Sequence, residues 1–89
     1  MNKELLREVA AVFGTEPLGG RDLYAKVLLH PDDSIAVYFI NAAVLSEQLQ
    51  QRGYAWQEHL HAWVKHVDTI EQARAETKGF RVTAAAFGI

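Results

Sequence analysis

Residues 53–67 read GYAWQEHLHAWVKHV, and they hold both tryptophans, three of the four histidines and one of the three tyrosines. On a helical wheel Trp56, Leu60, Trp63, Val64 and Val67 fall at i, i+4, i+7, i+8 and i+11, one broad apolar stripe. Gln57, Glu58, His61 and Lys65 take the opposite side. The spacing predicts a central helix. No other stretch carries as much aromatic area, so the rest of the chain, or a partner, has to pack on this stripe.

Working outward, the preceding segment reads as a second helix, with Val44, Leu45 and Leu49 apolar among Glu47, Gln48, Gln50, Gln51 and Arg52. Asn41 and Ser46 are both suitable starts. Gly53 suits the C′ position, and Tyr54 is placed to pack back on Leu49 as in a Schellman cap. On the other side, Asp68-Thr69-Ile70-Glu71 matches a capping box that starts a further helix to Lys78, closed by Gly79. The alternative is that the central helix runs through. Either way Glu71, Gln72, Arg74, Glu76 and Lys78 describe a solvated helical surface.

The N-terminal residues 2–13 form a third helical pattern, with Asn2 as N-cap, Gly14 beyond its end and a stripe of Leu5, Leu6, Val9, Val12 and Phe13. Pro17, Gly19 and Gly20 make 15–20 a loop. Residues 22–29 fit a helix or a strand. The strand is preferred because His30-Pro31-Asp32-Asp33 suits a turn and residues 34–40 are β-branched and aromatic. Residues 80–89 read as a last strand, with Phe80, Val82, Ala84 and Ala86 on one face. The expected fold is a two-layer α+β domain, a three-stranded, mostly antiparallel sheet with helices packed on it, in the order α-β-β-α-α(-α)-β. Its second sheet face would show Tyr24, Tyr38, Ile40 and Phe87 unless the N-terminal helix or a second copy covers it.

The 89 residues are enough for one domain with a modest core. With 49% hydrophobic and 22% charged residues the chain has the composition of a folded protein. A net charge of −2 without basic runs argues against a polyanion binder. The absence of cysteine removes disulfides and thiolate chemistry. Charges in residues 2–8 interrupt any signal-peptide core, and the uncharged run 35–45 is short for a membrane span, so a cytoplasmic protein is expected.

The histidines do not make a metal site at helical spacing. His59 and His66 lie about 10.5 Å apart along a helix axis, and His59 and His61 point opposite ways. They are expected half-buried beside the stripe. No serine sits in a nucleophile elbow, and Gly19-Gly20-Arg21 lacks a phosphate-loop spacing, so neither a catalytic group nor a cofactor is selected. A helix-turn-helix reading of the pair around Gly53 fails for want of phosphate-contacting cations. What remains is the aromatic stripe. The expectation is a small non-enzymatic protein-interaction module, an adaptor, inhibitor or immunity-type protein, that works as a homodimer through Tyr54, Trp56, His59, Trp63 and His66. The alternative is a binder of a small apolar ligand, in a pocket lined by tryptophan and histidine.

Overall fold

The computed structural model describes residues 2–86. Helix α1 (Lys3–Phe13) begins where the Asn2 side chain accepts hydrogen bonds from the Glu4 and Leu5 amides, at 2.9 and 3.2 Å. Strands β1 (Tyr24–Leu29) and β2 (Ile35–Ile40) form an antiparallel hairpin. Its turn has Pro31 second, and the Asp33 amide donates to the His30 carbonyl at 2.9 Å. After a 3-10 turn at Ala43–Leu45 comes the short helix α2 (Ser46–Gln51). Gly53 at φ 92° closes it, with the Tyr54 amide donating to Leu49 and the Gly53 amide to Gln50. This is the Schellman cap expected from the sequence.

The central helix is not there. Strand β3 (Ala55–Gln57), a 3-10 turn at Glu58–Leu60 and strand β4 (Ala62–Val67) replace it. His61 makes the reversal possible by taking the left-handed conformation, φ 48°. β4 has two buried faces. Ala62 and Val64 enter one apolar cluster, Trp63 and Val67 the other. That double demand gives nearly continuous apolar character, which mimics a helical stripe.

Helix α3 (Ile70–Thr77) starts one residue later than the capping box read from Asp68. Thr69 Oγ1 accepts from the Gln72 amide, and Gln72 Oε1 accepts from the Asp68 amide. Strand β5 (Val82–Ala86) then lies parallel to β1.

Among the described residues the fold is therefore mixed α+β with one sheet and three helices, but the sheet has five strands rather than three, in the order β3-β4-β2-β1-β5. The chain order is α-β-β-α-β-β-α-β, which corrects the expected α-β-β-α-α(-α)-β. All helices lie on one face. α1 packs over β5 and β1, and α3 over β2 and β4. The core between the layers is built from Val9, Val27, Leu29, Val37, Phe39 and Leu49, all fully buried. Because α1 sits on this side, it does not cover the second face; Tyr24, Tyr38 and Ile40 do lie on that face, but Tyr24 and Tyr38 are buried there rather than exposed as expected. The expectation for Phe87 falls outside the described residues.

β5 is an edge strand, and its outer side is shielded within the chain. The Ala84 amide donates to the Gly14 carbonyl at 2.7 Å, and Thr83 Oγ1 donates to the Glu16 carbonyl at 2.7 Å. At the other edge, no backbone group among the described residues hydrogen-bonds across the outer side of β3.

Candidate functional site

Trp56 and Trp63 are directly opposite each other in the β3–β4 register, so both indoles leave the sheet on its helix-bearing face. Their ring centroids are 5.6 Å apart and tilted by 57°. The helices stop short of this corner. Trp63 is half-buried, but Trp56 remains 44% exposed, and the two rings with Ala43 and Ser46 line an open cleft of about 400 Å³. Val44, in the same 3-10 turn as Ala43, is 82% exposed. The Trp56 indole N–H donates to Glu58 Oε2 at 2.6 Å. Its one polar atom is thus satisfied within the chain, and the ring can be covered without stranding a donor.

Tyr54, two residues before Trp56, is buried on the same face with its ring edge-on to Phe39 at 5.4 Å. Its hydroxyl donates to Glu76 Oε1 at 2.7 Å. Arg52 Nη2 donates to the same oxygen at 2.6 Å and to the Glu76 carbonyl at 3.1 Å, while Lys65 Nζ reaches Oε2 at 3.1 Å. Glu76 is thus a hub joining the end of α2, β4 and α3. Burial alone would raise its carboxyl pKa. The hydrogen bonds from Tyr54 and Lys65 and the charges of Arg52 and Lys65 outweigh that, and the net shift is downward. Tyr54 is pushed up, first by burial and then by its bond to and the charge of Glu76. Through this cluster one carboxylate ties the end of α2 and strand β4 to helix α3.

The five residues singled out from sequence do not converge. Tyr54, Trp56 and Trp63 share one face. His59 is exposed in the 3-10 turn before β4, and His66 is exposed on the opposite face, its ring 5.7 Å from that of His30. Neither is half-buried beside the indoles. The histidine that does approach them is His61, its ring edge-on to Trp56 at 6.4 Å. Sequence reasoning missed Ala43 and Ser46 as the cleft's far wall, and it placed Glu76 on a solvated surface although its side chain is only 19% exposed. Glu76 carries no local signal, since its partners are 11, 22 and 24 residues away.

Among the described residues no group of three or more His, Asp or Glu side chains is placed to hold a metal ion, and no helix is long and apolar enough to cross a membrane. No protein-family model matches the chain, and neither a curated protein nor a solved structure is found to be similar to it.

Proposed function

We propose that this protein is a non-enzymatic interaction module that pairs with a second copy of itself through the β3 corner. The observation that carries the reading is the exposed Trp56 ring on an edge strand whose outer side is unpaired, with Trp63 beneath it and Val44 alongside. Tryptophan is among the residue types most enriched at interface hot spots, and Trp56 can be buried without stranding its indole donor. A two-fold axis beside β3 would set the strand antiparallel to its copy and bring the two indole pairs onto one continuous face. The protein shields its other edge, at β5, within the chain, so leaving β3 open is selective.

Sedimentation equilibrium over a range of concentrations tests this. A reversible dimer is expected, and Trp56→Ala should weaken it by about 2 kcal/mol or more, roughly thirtyfold in the dissociation constant. Val44→Ser should add to the loss with an unchanged circular dichroism spectrum. A wild-type chain that stays monomeric at every concentration, or a dimer indifferent to Trp56→Ala, rejects the reading.

A further inference from the structure

The face of the sheet that carries no helix has a composition the interaction reading does not use. Its rows follow from the register: Ala62, Val64 and His66 on β4; Ile40, Tyr38 and Ala36 on β2; Tyr24, Lys26 and Leu28 on β1; Thr83 and Ala85 on β5. None of these positions is Asp or Glu, in a chain whose net charge is −2. At the centre stands Lys26, half-buried, directly opposite Tyr38 on one side and Thr83 on the other. Lys26 makes no ion pair or hydrogen bond among the described residues, and the Tyr38 hydroxyl makes no hydrogen bond among them. Thr83 is already committed to Glu16.

Around this ammonium the surface is apolar and concave. Lys26, Leu28, Tyr38, Ile40, Leu60 and Ala85 line a trough of about 360 Å³, and a second hollow of about 230 Å³ continues from Lys26 toward Pro17 and Leu18. Leu60, 40% exposed, forms one wall. With its stem half-buried and no carboxylate paired to it among the described residues, Lys26 offers an ammonium that an incoming anion can complete. Burial raises the Tyr38 pKa, which keeps its hydroxyl a donor.

We propose that this trough binds a small apolar monocarboxylate, its carboxylate accepting from Lys26 Nζ and the Tyr38 hydroxyl and its hydrocarbon lying on Leu28, Ile40, Leu60 and Ala85. The volume lies at the low end for small-molecule sites, which limits the ligand to a short chain or a single ring. The site is on the opposite face from the tryptophan corner and stands or falls independently of it. A lysine placed here only to deter sheet-on-sheet stacking would extend to solvent and show no preference for carboxylates.

The test is a titration of the intact, isotopically labelled chain with octanoate, 1-octanol and octylammonium, each below its aggregation threshold, read by amide chemical shifts. Octanoate should shift Lys26, Leu28, Tyr38, Leu60 and Ala85 saturably, and octanol and octylammonium should bind at least about tenfold more weakly, since a charge-assisted pair is lost. Lys26→Gln should reduce octanoate to the level of octanol, and Lys26→Arg, which keeps the charge, should retain it and so guard against a merely misfolded variant. Equal binding of octanoate and octanol, undiminished binding by Lys26→Gln, shifts confined to the Trp56–Trp63 cleft, or no saturable shift overturns the proposal.

Discussion

The Tyr54 hydroxyl donates a 2.7 Å hydrogen bond to Glu76 Oε1, and the two groups shift each other's titration in opposite directions. Glu76 has a folded pKa below its ordinary 4.5, so its contribution to stability is complete above that value and is lost as pH falls through the lower, folded one. Tyr54 has a folded pKa above its ordinary 10.0, so its contribution is complete below 10.0 and fades as pH rises beyond it. Urea unfolding across the pH range should therefore show two limbs. Glu76→Gln should flatten the acid limb only in part, because hydrogen bonds from Ser34 also lower the Asp32 carboxyl. Tyr54→Phe should flatten the alkaline one only in part, because burial also raises Tyr38. At neutral pH Tyr54→Phe should cost about 1.5 kcal/mol, the lower end for a hydrogen bond to a charged group. An alkaline limb unchanged in Tyr54→Phe would mean that the hydroxyl is hydrated in solution.

The contact between Trp56 and Trp63 gives a spectroscopic prediction. On a helix these positions are two turns apart, about 10.5 Å along the axis. Across β3 and β4 their rings lie 5.6 Å apart. Indoles that close should give an exciton couplet in the far-ultraviolet circular dichroism, absent from both Trp56→Phe and Trp63→Phe. A couplet absent from the wild-type chain, or surviving in either variant, contradicts the pairing.

Much of the architecture was legible because local chemistry and tertiary demand agreed. The Asn2 cap, the Pro31 turn and the Gly53–Tyr54 Schellman cap each appear where their residues imply. The 55–67 hairpin was not legible, for two physical reasons. Its turn contains no glycine, proline or asparagine, the left-handed position being taken by His61, a residue that rarely signals it. Its second strand sends apolar side chains to both faces, Ala62 and Val64 to one cluster and Trp63 and Val67 to the other, which removes the polar alternation that marks a strand. The same misreading set His66 beside the indoles, whereas strand alternation sends it through to the other side of the sheet.

Gly53 separates conformational cost from steric cost. A Cβ added there would meet Lys65 Cε at 3.9 Å, an ordinary contact, but the backbone sits at φ 92°. Gly53→Ala should thus lower stability by about 1–2 kcal/mol through strain alone. Gly19 has open space around it and no positive φ. Gly19→Ala should be neutral or slightly stabilising, through loss of unfolded-state freedom. Equal effects at the two sites in chemical denaturation would show that Gly53 does not hold the left-handed conformation.

Thr83 distinguishes strand propensity from edge protection. Valine has nearly the same shape and is at least as good a strand former, so propensity alone makes Thr83→Val neutral or stabilising. In the fold, Thr83 Oγ1 donates to the Glu16 carbonyl at 2.7 Å and, together with the Ala84–Gly14 bond, holds the 14–16 segment along the outer side of β5. Removing the hydroxyl deprives a partly buried carbonyl of its donor, at a cost of about 1 kcal/mol. It also loosens the cover of an edge strand made of Val, Thr and three alanines. The expected result is a lower urea midpoint at unchanged m-value, with light scattering that begins earlier on heating. A midpoint equal to or above wild type, without earlier scattering, would show that β5 does not depend on this segment for its protection.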